Sequence, residues 1–441
     1  MNNENEEKNQ IKIKLGTAIG LIVLLAVIMV TIGILIINKK ETTNPSTNNT
    51  NEVIVKPNKE NEQIEDSNFS MQFLKLENDK KNMIYSPLSI KYALNLLKEG
   101  ANGNTKIQLE QVIGNQNLTK YNNIDQRLSL ANGVYIRDTY AKNVKEDYKK
   151  ILTEKYNAEI NYDSFSSANN INSWIQNKTL GIIKNMLRDE TVQNPDNKML
   201  LINALAIDME WENRFDSEKT GGSDFYLEDG STMNATTMHM KNSSDSISYY
   251  KDKNITALTM NLKEYNDTQL EFVAIMPEKN LSEYIETFTM DEFDNIIKKS
   301  KLASKTKNGV NISIPRFSFD YDLKLKKDLI KLGITDAFDS KLADFSKMSD
   351  NYLYVSDALH KANIDFTEKG VKAAAVTVIY MFSGAILEED KPIEINIDKP
   401  FLYIIRDKKA GEIWFVGTVY EPNSWEEDEV NYKYSESIGL Q

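Results

Sequence analysis

Apolar residues are spaced in four ways along the chain, and each spacing predicts a different element. Residues 15–37 form an unbroken apolar run of 23 residues, the length of a helix that spans a bilayer. A buried core helix is the alternative; a cleaved leader has a shorter apolar core and a small-residue site that residues 31–35 do not supply. Helical spacing begins with Phe69, Phe73, Leu74 and Leu76. It is clearer in Ile90, Ala93, Leu94 and Leu97, a face opened by Ser86 at the N-cap and Pro87 at the first helical position and closed by Gly100. Further helices are predicted over 144–156, 171–186, 281–288 and 291–299, and at Leu325, Leu329 and Leu332 before Gly333.

Alternation over 311–319 predicts a strand, as do the β-forming stretches 130–136, 352–366, 393–397, 401–405 and 413–420, and three segments within 247–276. Residues 199–207 are apolar almost throughout, which predicts a strand covered on both faces. The one amide inside that run, Asn203, must find partners or destabilise the fold by a few kcal/mol. Helices cluster early and strands late, so the pattern is α+β with large mixed sheets. There is no internal repeat.

One stretch fits no ordinary element. After Glu368-Lys369-Gly370-Val371-Lys372 come Ala373, Ala374 and Ala375, then a run of β-formers to Leu387 before the polar turn 388–392. Read with period 2, one face is Val371, Ala373, Ala375, Thr377 and Ile379, and the other is Lys372, Ala374, Val376 and Val378. The first face is small enough to pass between existing strands, and alanine is a poor strand former on its own. A core strand with a Gly-Ala bulge is the alternative.

Composition removes several classes of chemistry. The 441 residues are 41% hydrophobic and 27% charged, as in a soluble globular domain. A net charge of −12 argues against a nucleic-acid partner. The chain has no cysteine and only two histidines, His239 and His360, so thiol chemistry, disulfides and metal-ligand spacing are not expected. No phosphate-binding loop, nucleophile elbow or dinucleotide fingerprint occurs. His360, three residues after Asp357 in a strand pattern, reads as a satisfied core histidine. No cofactor is implied.

Several stretches in order resemble the motifs of the serpin family, serine protease inhibitors. They are 82–90 with 100–105; Ala131-Asn132; residues 171–181; 201–204 with Trp211 and Phe215; 314–317; His360-Lys361-Ala362; Glu368-Lys369-Gly370; Pro400-Phe401; and 415–419. The resemblance implies an α+β fold of three β-sheets and about eight or nine helices with an exposed reactive-centre loop. It implies no enzyme activity but single-use inhibition: a protease cuts the loop, is trapped as an acyl-enzyme, and the freed segment inserts as a strand. A non-inhibitory member acting as a binding module or decoy substrate is the alternative. Strand insertion of this kind is an established behaviour of the family.

By the same resemblance, Ser86, Ser89, Asn203 and His360 form a polar cluster beneath the parting strands, and Trp211, Arg316 and Glu368 lie where insertion begins. The hinge comprises Glu368, Gly370, Val371, Ala373, Ala374, Ala375 and Thr377; Val371 replaces the usual Thr or Ser but is uncharged and small. Family spacing counted from Glu368 places the scissile bond at Gly384-Ala385, with Phe382, Ser383 and Leu387 as alternatives. No Lys or Arg occurs from Ala373 to Asp390, so the expected target has a small or apolar primary pocket, elastase-like or subtilisin-like; a cysteine protease is an alternative target. The whole chain is expected to be a bacterial-type, membrane-anchored member: a cytoplasmic segment 1–14, a transmembrane helix 15–37, a disordered linker 38–66, a serpin domain 67–422 outside the cell, and an acidic disordered tail 423–441. Lysines 8, 12 and 14 before the apolar run, against Lys39 and Lys40 after it, weakly favour the amino end in the cytoplasm.

Overall fold

In a computed structural model the described residues are 66–114, 118–371 and 391–426. They contain nine α-helices and four β-sheets. The expected anchor 15–37 lies outside them, as do the preceding segment, most of the linker, Ala373, Ala374, Ala375, Thr377, Gly384 and Ala385 of the loop, and residues 427–441. Among the described residues no helix is long and apolar enough to cross a membrane.

The rear of the molecule is a seven-stranded sheet. Ile255–Asn261 and Leu270–Pro277 at its centre are buried at every position, their mostly apolar runs taking Thr256, Thr259, Asn261 and Glu271 into the interior with them. Next to Leu270–Pro277 comes Phe401–Asp407, then Ile413–Val419 and Met83–Tyr85. Helix Pro87–Gly100 follows Met83–Tyr85 directly. Ser86 caps it as its sequence requires, its hydroxyl oxygen accepting from the Ser89 N–H at 3.0 Å. Gly100 is the last residue of that helix for a different reason than a left-handed cap. A Cβ there would lie 2.6 Å from Met348 Cε, so close packing, not backbone freedom, requires the glycine.

A four-stranded sheet holds Ile393–Asn396, Val310–Pro315, Thr232–Asn242 and Gly221–Tyr226 in that order. The predicted strand 311–319 is divided: Val310–Pro315 stays in this sheet, and after a bend at Arg316 Phe317–Lys324 enters another. The last two strands of this sheet, and helix Gly103–Ile113, carry too little apolar periodicity to be read from sequence.

The front face departs from expectation in the way that matters most. Three sheets were expected and four are found, because the front sheet is parted along one line. Ala158–Asp163, Leu128–Arg137 and Met199–Ile207 form one sheet; Phe317–Lys324, Leu359–Thr367, Gly370–Val371 and Met209–Glu210 form the other. Met199–Ile207 runs on through Asp208 into Met209–Glu210, so the halves are joined at the top and separate below. Met199–Ile207 is therefore not covered on every side: Met199, Leu200, Leu201 and Asn203 are only half-buried.

Three helix and strand lengths are also corrected. The predicted strand 352–366 begins only at Leu359, since residues 352–358 bond outside any sheet, Val355 N–H to Ala337 O at 2.8 Å. The predicted helix 171–186 is Asn169–Lys178. It stops where the Thr179 hydroxyl takes the Ile175 carbonyl and Leu180 and Gly181 adopt positive φ. The predicted helix 144–156 is Glu146–Tyr156, preceded by the 3-10 turn Asp138–Asn143. Helix Asn169–Lys178 lies over the front sheet, its Trp174 against Gly133, where a Cβ would meet the indole at 2.7 Å. Beneath it is a second, smaller core of Phe165, Ile171, Ile175, Ile183, Leu187 and Ile202.

Candidate functional site

The line of parting is a cleft. A cavity of about 250 Å³ runs between Met199–Ile207 and Leu359–Thr367, floored by helix Pro87–Gly100 and roofed by residues such as Ile175, Ile183 and Met186. Its foot is bridged by the Ser356 hydroxyl, which donates to Asn197 Oδ1 at 2.8 Å. Its head is filled by Gly370–Val371, paired antiparallel both to Phe366 and Thr367 and to Met209 and Glu210. Two residues thus already sit between the strand lines, at the place where the poor strand-forming run begins.

Gly370 is fixed by distance. A Cβ at this position would lie 2.1 Å from Met209 O and 2.7 Å from Glu210 Cα. The neighbouring backbones would have to separate, so Gly370→Ala is expected to lower stability by about 1–3 kcal/mol. Urea unfolding checks the magnitude, and faster amide exchange at Val371 checks the place.

The turn 367–369 above the cleft is held by the segment that follows Glu210. The Trp211 indole N–H donates to Thr367 O at 2.8 Å. The Trp211 and Phe215 backbone N–H groups donate to Lys369 O and Glu368 O at 2.8 and 2.9 Å. The Trp211 ring meets Phe366 edge-on at 5.2 Å. The Glu368 carboxylate forms an ion pair with the Arg316 guanidinium and accepts from the Thr220 hydroxyl at 2.6 Å. The structure therefore brings Trp211, Arg316 and Glu368 together as the sequence suggested. Thr220 joins them unforeseen; a threonine 148 positions from Glu368 carries no sequence signal.

Midway down, the four polar residues expected to form one cluster are divided by the cleft. On one side the Ser86 N–H donates to His360 Nε2 at 3.0 Å while Ser86 Oγ caps Ser89. On the other side Asn203 Nδ2 donates to Asn132 Oδ1 at 2.9 Å, because Asn132 is its register partner on the adjacent strand. Among the described residues, Asn203 Oδ1 is buried with no hydrogen-bond partner. All four line the cavity, but Asn203 faces His360 across it instead of bonding to it.

Burial holds His360 neutral and pulls its pKa down from 6.5 to about 4. The unfolded chain protonates this ring near 6.5 and the folded chain does not. Its contribution to stability is therefore complete above pH 6.5 and is lost as pH falls from 6.5 to about 4. His360→Gln is expected to remove that part of the slope, about 2 kcal/mol between pH 7.5 and pH 5. Urea midpoints of both proteins at the two pH values test it; parallel pH dependence would refute the assignment.

This geometry coincides with a family match. The profile described as Serpin (serine protease inhibitor) covers residues 65–422. The chain belongs to the serpin family. An uncharacterized serpin-like protein of Methanosarcina mazei is 29% identical over 365 residues, 78% of this chain and 82% of its own length. A Xenopus laevis protein named leukocyte elastase inhibitor is 27% identical over 369 residues, 78% of this chain and 94% of its own. Among solved structures, the thermophilic serpin tengpin in its native state superimposes with a TM-score of 0.69 at 30% identity, covering 83% of this chain and 96% of tengpin.

Proposed function

We propose that this serpin is a single-use inhibitor of extracellular serine proteases that works by strand insertion into the cleft. The observation that carries the reading is the register of Gly370–Val371. Continued without a bulge, it places Lys372 opposite Asp208 and Asp365, Ala373 opposite Ile207 and Ile364, and Ala375 opposite Leu205 and Ala362. Thr377 then falls between Asn203 and His360, where its hydroxyl can donate to the Asn203 Oδ1 left over on the cleft wall. Small residues meet the crowded upper cleft, the charge meets carboxylates and the hydroxyl meets the polar belt. Met381 reaches Met199, the foot of the strand, so a cut at Gly384-Ala385 leaves enough chain to fill the cleft.

The primary pocket of the target is small or apolar, because no basic residue occurs between Ala373 and Asp390. The similarity to a protein named leukocyte elastase inhibitor supports that choice. The protein is of bacterial type and is held at the cell membrane by residues 15–37, with the serpin domain outside. Protease fractionating with the membrane, and released with the domain when the linker is cut, tests the location. Mixing with an elastase or a subtilisin and resolving the products on denaturing gels tests the activity. A covalent adduct supports inhibition; complete cleavage without adduct assigns the protein to the substrate or binding-module reading.

A further inference from the structure

Two residues just beyond the family match are tied to the head of the cleft. The family match stops at residue 422, and disorder is the expectation for all that follows, yet Asn423 and Ser424 are built into the fold. The Asn423 N–H donates to Arg316 O at 3.1 Å, and Asn423 O accepts from the Thr236 N–H at 2.9 Å. The Ser318 N–H donates to Asn423 Oδ1 at 3.0 Å. The Thr236 hydroxyl donates to Ser424 O at 3.2 Å, and Ser424 forms a bridge with Ala235.

These bonds converge on the bend at Arg316. Its N–H is held by Thr236 O at 2.8 Å and its carbonyl by Asn423, while its side chain pairs with Glu368 at the root of the loop. Thr236 is fully buried beneath the tail, so removing Asn423 takes the partner from its N–H, and such a group regains a partner by moving its backbone. A moved Thr236 moves Arg316, and a moved Arg316 loosens Glu368.

We propose that Asn423–Ser424 is a strap that fixes Arg316 and thereby sets how readily the head of the cleft opens, so that trimming the chain to Pro422 by a carboxypeptidase would prime the loop. The effect on insertion rests on the inhibitory reading above; the effect on the turn at Glu368 does not. The test compares the full chain with chains ending at Glu426 and at Pro422 by hydrogen–deuterium exchange. The Glu426 chain is expected to match the full chain. In the Pro422 chain, exchange at Thr236 and Ser318 rises at least tenfold, and so does exchange at Trp211 and Phe215, whose N–H groups bond to Lys369 and Glu368. Spontaneous conversion to a form of higher melting temperature at 37 °C is at least five times faster. A rise confined to Thr236 and Ser318 overturns the strap, leaving only a local tie. If the Pro422 chain does not fold, Asn423→Ala, which removes the side-chain bond from Ser318 and keeps the backbone, carries the test, with about threefold faster exchange expected at Phe215 and no change there overturning it. Failure of inhibition with Phe215 exchange intact counts against the protease reading alone.

Discussion

A single cut between residues 381 and 390 is expected to raise the midpoint of thermal unfolding by roughly 15 °C. The register that starts at Gly370–Val371 lets about nine further residues pair with both walls of the cleft, which adds about a dozen backbone hydrogen bonds. At roughly 0.5–1.5 kcal/mol net for each, the gain is on the order of 10 kcal/mol. Spread over the unfolding entropy of a domain of this length, that energy corresponds to the stated shift. The uncut protein is then a kinetically held state, since its most stable arrangement is reached only after the loop is freed. The measurement is a pair of melting curves before and after limited digestion with a protease of apolar preference. An unchanged or lowered midpoint would mean the freed segment stays outside the sheet, and the inhibitory reading would fail with it.

Ala375→Arg is expected to turn the inhibitor into a substrate. In the continued register Ala375 faces Leu205 and Ala362, both buried, on the same side as the buried Val371. Placing a guanidinium there removes it from water without a partner, at a penalty of several kcal/mol. Insertion slows at that residue and the acyl-enzyme has time to hydrolyse. With elastase or subtilisin the variant should yield cleaved protein and less than a tenth of the adduct. Lys372→Arg is the control, because that position already carries a charge opposite Asp208 and Asp365. Full adduct from the Ala375 variant would show that the alternation has been assigned to the wrong face.

Much of this serpin was legible because local physics and fold agree. Ser86 and Pro87 open a helix ahead of an apolar face, and the β-forming segments within 247–276 are strands, Ile255–Asn261 and Leu270–Pro277 among them. Other segments were decided by partners far away in sequence. Residues 352–358 have strand-forming side chains but no strand beside them; Ala337 and Asn197 take their hydrogen bonds instead. The alternation through 311–319 gave no hint that Arg316 turns the chain from one sheet into another, since period 2 continues across the bend. Gly100 announced a helix end correctly for the wrong reason, because the side chain that forbids a Cβ there belongs to Met348.

The motifs placed Asn203 and His360 in one region and Trp211, Arg316 and Glu368 in another, all within one family, and composition argued against thiol, metal-spacing and nucleic-acid chemistry. Those are properties of residue type and order, which a single chain carries on its face. That Asn203 bonds to Asn132 instead of joining His360, that Thr220 grips Glu368, and that the front sheet is closed by Gly370–Val371 at one end only, came from the tertiary structure. The reason is that hydrogen-bond pairing between strands depends on distance and register across hundreds of residues, and neither is encoded in the local spacing of apolar and polar side chains.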